Sequence, residues 1–258
     1  MLDNRVPIIF DTPKQLPYIE VLVAADMHCG SNEFDERKWR EFERLLDREN
    51  TYIIFAGDQM EMATRTSKSD VYTQTLRPAE QKRWWIDRLK GREDKIIAIV
   101  DGNHEFNRAS KDADQFPLYD IAIMLGIEDR YRSEAAFVDI GVGTRRPGDG
   151  SQWRYVGYAV HKAQNQVNYG TADGLEGIDF FVSGHTHKPM DKPLGKLVYD
   201  TKLKAIREKS VENIVSGHFL RYGGYAQRGG MRPTSQKLYR FILSGREKDI
   251  QTIGFHVQ

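Results

Sequence analysis

Three short apolar runs, at residues 19–25, 52–56 and 96–100, each stop in a turn that carries an acid, an amide or a histidine. Apolar runs of this length bounded by turn residues describe strands buried on both faces, as in a parallel sheet. Helical patterns lie between them. One runs from about 33 to 48, with Phe34, Phe42, Leu45 and Leu46 on one face. A second runs from about 78 to 90, opened by Pro78 and closed by Gly91. Its Trp84, Trp85, Ile86 and Leu89 read as core residues. A third is expected near 116–125, stopped by Gly126. Alternation of strand with helix predicts βαβ units.

The second half changes character. Residues 135–142, 153–160, 179–182, 196–199, 213–215, 237–243 and 250–256 read as strands, with one short helical stretch near 171–177. Gly148-Asp149-Gly150 and Ser244-Gly245 suit hairpin turns. These strands predict a second, more antiparallel sheet packed on the first. The expected fold class is α/β: a four-layer α/β/β/α sandwich of two mixed sheets flanked by helices. Residues 1–17, with Pro7, Pro13 and Pro17 around an apolar stretch, read as an N-terminal arm or edge strand. No Pro/Gly/Ser-rich linker interrupts the chain, so one domain over 1–258 is expected.

Composition excludes more than it assigns. Lys plus Arg total 38 against 37 Asp plus Glu, so no global field selects a nucleic-acid or membrane partner. The one cysteine, Cys29, rules out an intrachain disulfide framework and reads as a small buried residue in a reducing compartment. No signal-peptide core and no apolar run of the roughly 18 residues that a spanning helix needs are found. A cytoplasmic protein is the expectation.

The turns concentrate the chemistry. Asp26 and His28 follow the first run, Asp58 and Glu61 the second, and Asn103, His104 and Glu105 the third. His161 follows the strand at 153–160, and His185 and His187 follow the strand at 179–182. Five of the seven histidines thus lie at strand ends, where ligand sites of α/β sheets form. Buried Asp and His in such number cost desolvation energy unless a cation unites them. In Asp26-x-His28 and His185-x-His187, side chains two apart on extended backbone point the same way. Imidazole, carboxylate and amide donors suit Mn, Fe, Zn or Co. Seven candidate ligands suit two ions sharing a carboxylate, about 3.5–4 Å apart.

In this order, Asp26-x-His28, Gly57-Asp58-x-x-Glu61, Gly102-Asn103-His104-Glu105, His161 and Gly184-His185-x-His187 resemble the motifs of the calcineurin-like metallophosphoesterases. The resemblance spans 26–187 and implies a metal-dependent phosphoric ester hydrolase in which two divalent ions activate the attacking hydroxide. Manganese comes first among them, with iron, zinc, nickel or cobalt as the others. It implies that Asp26, His28 and His187 bind one ion, Asn103, His161 and His185 the other, and that Asp58 bridges them. His104 falls on the family's proton donor and Glu61 on its acidic partner. Two positions depart from the pattern. Glu61 stands where aspartate is commoner, and Lys162 where glycine usually follows the fourth-block histidine. Met60-Glu61-Met62 replaces the Asp-Arg-Gly of the protein phosphatase branch. The layout is similar to metallophosphoesterases encoded by phages and mobile elements, which adds an infected host cell to the expected settings.

Substrate choice falls to the loops. Residues 216–236 combine flexible glycines with Arg221, Tyr222, Arg228 and Arg232, a set that binds phosphate and stacks on bases. Arg65, Lys68 and Arg77 in the 62–78 loop, a candidate lid, offer a second basic rim. A phosphodiesterase or nuclease on nucleic acid or a nucleotide is expected. The alternatives are a phosphomonoesterase on a small phosphorylated substrate and a metal-stabilised binding module without turnover.

Overall fold

Alternate residues of the first long strand face two different cores. Ile19, Val21 and Val23 join one buried cluster, and Leu22 and Ala24 join another, so that strand is covered on both sides. The computed structural model describes residues 4–65, 67, 71–146, 148, 150–164 and 170–257, with the backbone alone at residue 225.

In chain order the elements begin with β1 (Ile8–Asp11), β2 (Tyr18–Ala24), α1 (Glu36–Leu46), β3 (Thr51–Ala56), α2 (Pro78–Leu89) and β4 (Ile96–Val100). A π-type helix (His104–Lys111), α3 (Pro117–Met124), β5 (Tyr131–Arg132), β6 (Ala135–Val142) and β7 (Trp153–Val160) come next. The chain continues with α4 (Gly170–Asp173), β8 (Phe180–Ser183), β9 (Met190–Asp191), β10 (Leu194–Asp200) and β11 (Ala205–Val215). It closes with α5 (Gly224–Arg228), β12 (Leu238–Ser244) and β13 (Ile250–Phe255).

Two mixed sheets result. The first has the order β13-β12-β2-β3-β4-β5, and the second β1-β6-β7-β8-β11-β10 with β9 beside β11. The inner core lies between them, where Val21, Ile54, Ala98, Val138, Phe180 and Phe241 meet. On the outer face of the first sheet, α1, α2 and α3 bury Trp39, Phe42, Trp85 and Ile121. The α1 helix starts at Asp35, whose carboxylate accepts from the backbone N–H groups of Arg37 and Lys38 at 3.2 and 3.3 Å. The outer face of the second sheet carries a smaller cluster of Ala172, Ile178, Phe181, Leu194 and Val211. The sandwich is the expected one, with a thin fourth layer.

Strand placement differs from expectation at the C-terminus. Residues 237–243 and 250–256 were assigned by pattern to the second sheet, yet β12 pairs antiparallel with β2 (Tyr239 opposite Val23) and β13 pairs with β12. They extend the first sheet, because Tyr239, Phe241 and Leu243 fill the space beside β2 in the inner core. The second sheet is itself mixed: β1–β6, β7–β8 and β8–β11 are parallel. The arm at 1–17 contributes β1, an edge strand with Ile8 and Phe10 buried. In the 148–150 turn, Asp149 lies outside the described residues.

Candidate metal centre

The parallel strands β2, β3 and β4 end side by side, so their turns converge. The turns after β2 and β3 are zipped together by backbone. Met27 and His28 donate to the Asp58 carbonyl at 2.8 and 2.9 Å, Cys29 donates to Gln59 O, and Glu61 N donates to Cys29 O, both at 2.9 Å. Cys29 is fully buried in this zipper.

The side chains converge for a reason other than extended backbone. Asp26 (φ 53°), His28 (φ 49°), Asp58 (φ 54°), His185 (φ 71°) and His187 (φ 56°) are all left-handed. Each such residue costs on the order of 1–3 kcal/mol and persists where surrounding structure fixes it. Extended backbone is therefore not what brings these side chains together: Asp26 and His28 meet in one group, while His185 and His187 divide between two. Close packing leaves no freedom either. A Cβ on Gly102 would lie 2.1 Å from Asp58 N and Oδ1, and one on Gly57 would lie 2.5 Å from the His161 ring.

Both aspartates divide their oxygens the same way. Asp26 Oδ2 accepts from His185 N at 2.8 Å, and Asp58 Oδ1 accepts from His104 N at 2.8 Å. The other oxygens face imidazoles. Asp26 Oδ1, buried and without a hydrogen-bond partner, lies 3.3 Å from His187 Nε2 and 4.0 Å from His28 Nε2. Asp58 Oδ2 lies 3.2 Å from His161 Nε2, 3.7 Å from His104 Nε2 and 3.9 Å from His28 Nε2. Asn103 Oδ1 is 3.2 Å from His161 Nε2, whose ring is fixed through Nδ1 on Ala56 O at 2.9 Å. Two candidate ligand groups follow, Asp26–His28–His187 and Asp58–His161–His185, each with donor atoms within 4.8 Å of one another, beside a third of His28, Glu61 and His104. An unpartnered buried carboxylate oxygen among imidazoles, with no thiolate, is a donor set that fits borderline or hard divalent ions.

His104 sits at the start of the π-type helix, a distortion frequent at functional sites. Its Nδ1 lies 3.5 Å from Glu61 Oε2, which is also 3.3 Å from His28 Nδ1. Glu61 is therefore shared between two histidines instead of serving His104 alone. Arg108, one turn along the helix, holds the glutamate by donating to Oε1 at 2.6 Å and to the Glu61 carbonyl at 2.7 Å. Glu105 faces inward: Oε2 accepts from Asp58 N (3.1 Å) and Gly102 N (3.0 Å), and Oε1 from Met60 N (2.9 Å). It clamps the turns after β3 and β4. Glu105→Ala strands three buried N–H groups, and an unfolding free energy lower by on the order of 3 kcal/mol is expected in urea denaturation.

Charge is distributed to match. Burial works against ionisation of Asp58, but His161, His104 and His28 hold it well below the usual carboxylate range. Glu61, also opposed by burial, is held down to about 2 by His28, His104 and Arg108. Burial opposes the charge on His161, yet Asp58 and Asp26 push it up to about 10. Burial takes His104 down to about 3 against the pull of Asp58. The carboxylates thus hold positive charge beside them, which is the electrostatic requirement of a cation site.

The centre opens into a cleft of about 760 Å³. Arg221, Tyr222, Arg228 and Arg232 from the 216–236 segment line it, as does Arg108. Arg221 donates to Asn32 O at 2.9 Å and Tyr222 to Met231 O at 2.7 Å. Among the described residues, neither Arg65 nor Arg77 of the second basic rim lines the cleft. Thr73 and Gln74 represent the 62–78 loop in the cleft, whereas Arg65 and Arg77 are exposed elsewhere and Lys68 lies outside the described residues. Arg77 is the backbone N-cap of α2, where its N–H donates to Glu80 Oε2 at 2.7 Å, and its exposed side chain does not line the cleft. His218 was missed by sequence reasoning. It stacks on His187 with ring centres 5.2 Å apart, and its Nδ1 accepts from Leu220 N while Nε2 meets Thr234 Oγ1. Its position after a strand end, as with the other five histidines, is the signal that could have found it.

A model of the calcineurin-like phosphoesterase family matches residues 19–189. A metallophosphoesterase from Sphaerobacter thermophilus is similar in structure at 11% identity, with a TM-score of 0.44, over 93% of this chain and 90% of that one. No curated protein matches the chain.

Proposed function

The chain belongs to the calcineurin-like phosphoesterase family, and on that premise we propose that it is a two-metal phosphodiesterase acting on nucleic acid or a nucleotide. Membership makes it a metal-dependent hydrolase of phosphoric esters. The two-metal reading is carried by one observation: Asp58 Oδ2 stands between imidazoles of both ligand groups, His28 at 3.9 Å and His161 at 3.2 Å. Asp26, His28 and His187 would hold one ion, and Asn103, His161 and His185 the other, with Asp58 common to both. Divalent ions in such a pair, manganese first among candidates, lower the pKa of water and neutralise phosphate oxygens.

The remaining steps belong to this chain's own groups. His104 Nε2 faces Asp58 and the cleft, and the leaving oxygen takes its proton from that atom. Its affinity for a proton rises when a phosphate anion enters, because like the carboxylates that anion favours imidazolium. Glu61, immobilised by Arg108, stands 3.5 Å from His104 Nδ1, which meets His28 Nδ1 at 3.1 Å, and the two together orient the ring. Arg228 and Arg232 supply cationic forks along the cleft wall, and Tyr222 a ring for a base.

Comparing bis-p-nitrophenyl phosphate, p-nitrophenyl phosphate and a single-stranded oligonucleotide, each with Mn²⁺, tests the reading. Turnover of the two diesters is expected to exceed that of the monoester. Monoester turnover well above both would make it a phosphomonoesterase. In the Arg228→Ala/Arg232→Ala variant, KM for the oligonucleotide is expected to rise on the order of 10-fold, the worth of a lost charge-assisted hydrogen bond, with the small diester unaffected.

A further inference from the structure

The β10–β11 ribbon projects from the second sheet. β11 pairs with β8 only over Glu212–Val215, while its residues 205–211 pair with β10 alone among the described strands. His185 and His187 follow β8, whose carboxyl end pairs with that of β11 (Ser183 opposite Val215), so the ribbon tip lies roughly 33 Å from them at about 3.3 Å per residue. A bare two-stranded ribbon is marginal in water, and this one is apolar where it should be polar. Ile214 faces the inner core and Glu212 Oε2 accepts from Thr252 Oγ1 of β13, which fixes the face carrying Ile206 and Glu208. Register places Tyr199 opposite Ile206 and Leu197 opposite Glu208 on that face. Leu197, Tyr199 and Ile206 are 74%, 58% and 72% exposed, beyond the reach of the first sheet.

The outer edge of β10 carries no strand among the described residues. Exposed edges are usually guarded by charge. Here the one lysine, Lys196, rests its Nζ on Asp173 O and Leu175 O at 3.0 and 3.3 Å, contacts that it would exchange for a carboxylate facing it across the edge. The edge is also self-complementary. Antiparallel pairing of two copies about Val198 sets Val198 against Val198 once, on the two-fold axis, and Leu197 against Tyr199 and Lys196 against Asp200 twice each by symmetry. Asp200 accepts from Lys202 N and Leu203 N through Oδ1 and lies 3.4 Å from Arg207 Nε through Oδ2. Both charged side chains keep about a quarter of their surface exposed, at 24% and 27%. A shift by one residue would lose the charge match and set Leu197 or Tyr199 against a side chain on the wrong face.

We propose that the β10 edge is the interface of a homodimer, in which two copies pair antiparallel about Val198 and join their seven-stranded sheets into one. The apolar residues of both ribbons then form one continuous patch, and each ribbon gains the third and fourth strands it lacks. The interface is remote from the metal centre and independent of the proposed activity.

Sedimentation of the full chain across micromolar concentrations, with Val198→Cys and charge-swap variants, tests this. Dimers are expected for the native chain. Val198→Cys should form a disulfide-linked dimer under mild oxidant, with no competition from the buried Cys29. Lys196→Asp and Asp200→Lys should each shift the equilibrium to monomer, and the double swap should restore the dimer. Hydrolysis of a small diester should be unchanged in every variant, which also reports that each has folded. A native monomer at all concentrations overturns the proposal. So does a native dimer that Val198→Cys fails to cross-link, or one indifferent to the swaps.

Discussion

Replacing Asp58 with asparagine is expected to lower metal affinity by more than about 100-fold, above the range that partners of metal ligands command, and to remove turnover with it. The reasoning starts from the division of labour between its oxygens. Oδ1 is bound to His104 N at 2.8 Å, a contact that an asparagine oxygen retains, so the turn keeps its shape. Oδ2 lies between the two histidine groups, 3.9 Å from His28 Nε2 and 3.2 Å from His161 Nε2, and an amide nitrogen there would present hydrogen to a cation. The loss therefore falls on both ion positions at once. A local reporter is available without metal. Asp58 is the foremost of the groups holding His161 up near 10 against burial, so the His161 titration followed by NMR should move down in the variant. Metal content by mass spectrometry, measured beside kcat, decides the matter: two ions retained with native turnover would remove Asp58 from the bridging role.

What the sequence disclosed about this site follows from which features are local. The apolar runs of β2, β3 and β4 and the polar residues that end them are adjacent in the chain, and the chemistry of the turns could be read directly. Pairing between distant segments is different. Tyr239 opposite Val23 is a choice among several equally apolar neighbours, and no pattern within 237–243 distinguishes one sheet from the other. The left-handed backbone at Asp26, Asp58 and His187 was also hidden. No glycine marks those positions, and what fixes the first two is the backbone zipper between two turns 31 residues apart, as between Met27 N and Asp58 O.

Arg108 shows a further limit. The segment His104–Lys111 has no apolar stripe that would announce a helix, so a residue four positions after His104 carried no directional meaning. Once the π-type turn forms, Arg108 reaches back to Glu61, and the extra methylene of that glutamate becomes intelligible. The longer side chain lets one carboxylate meet the arginine through Oε1 and two imidazoles through Oε2. The arginines of the 216–236 segment were readable as a cluster, but which cationic side chains line the cleft depended on the path of the loop. Arg228 lines the cleft, whereas Arg77, at the start of α2, does not.

His104→Ala is expected to reduce kcat by about 10²–10⁴, the worth of a positioned general acid, with both ions still bound. The structure makes this a sharp test because His104 has a competing role. Together with His28 and Glu61 it forms a third group whose donor atoms lie within 4.8 Å of one another, a place that could itself take an ion. Its backbone N–H, unaffected by the substitution, continues to hold Asp58 Oδ1, so the carboxylate proposed to bridge the ions stays in place. The two roles then diverge by leaving group. A p-nitrophenolate departs without a proton, so the loss with that ester should lie at the bottom of the range. An alkoxide, as from a nucleotide, needs the proton, and the loss should lie at the top. Loss of one ion from the variant, with equal damage to both esters, would show that His104 is a ligand and that the proton comes from elsewhere.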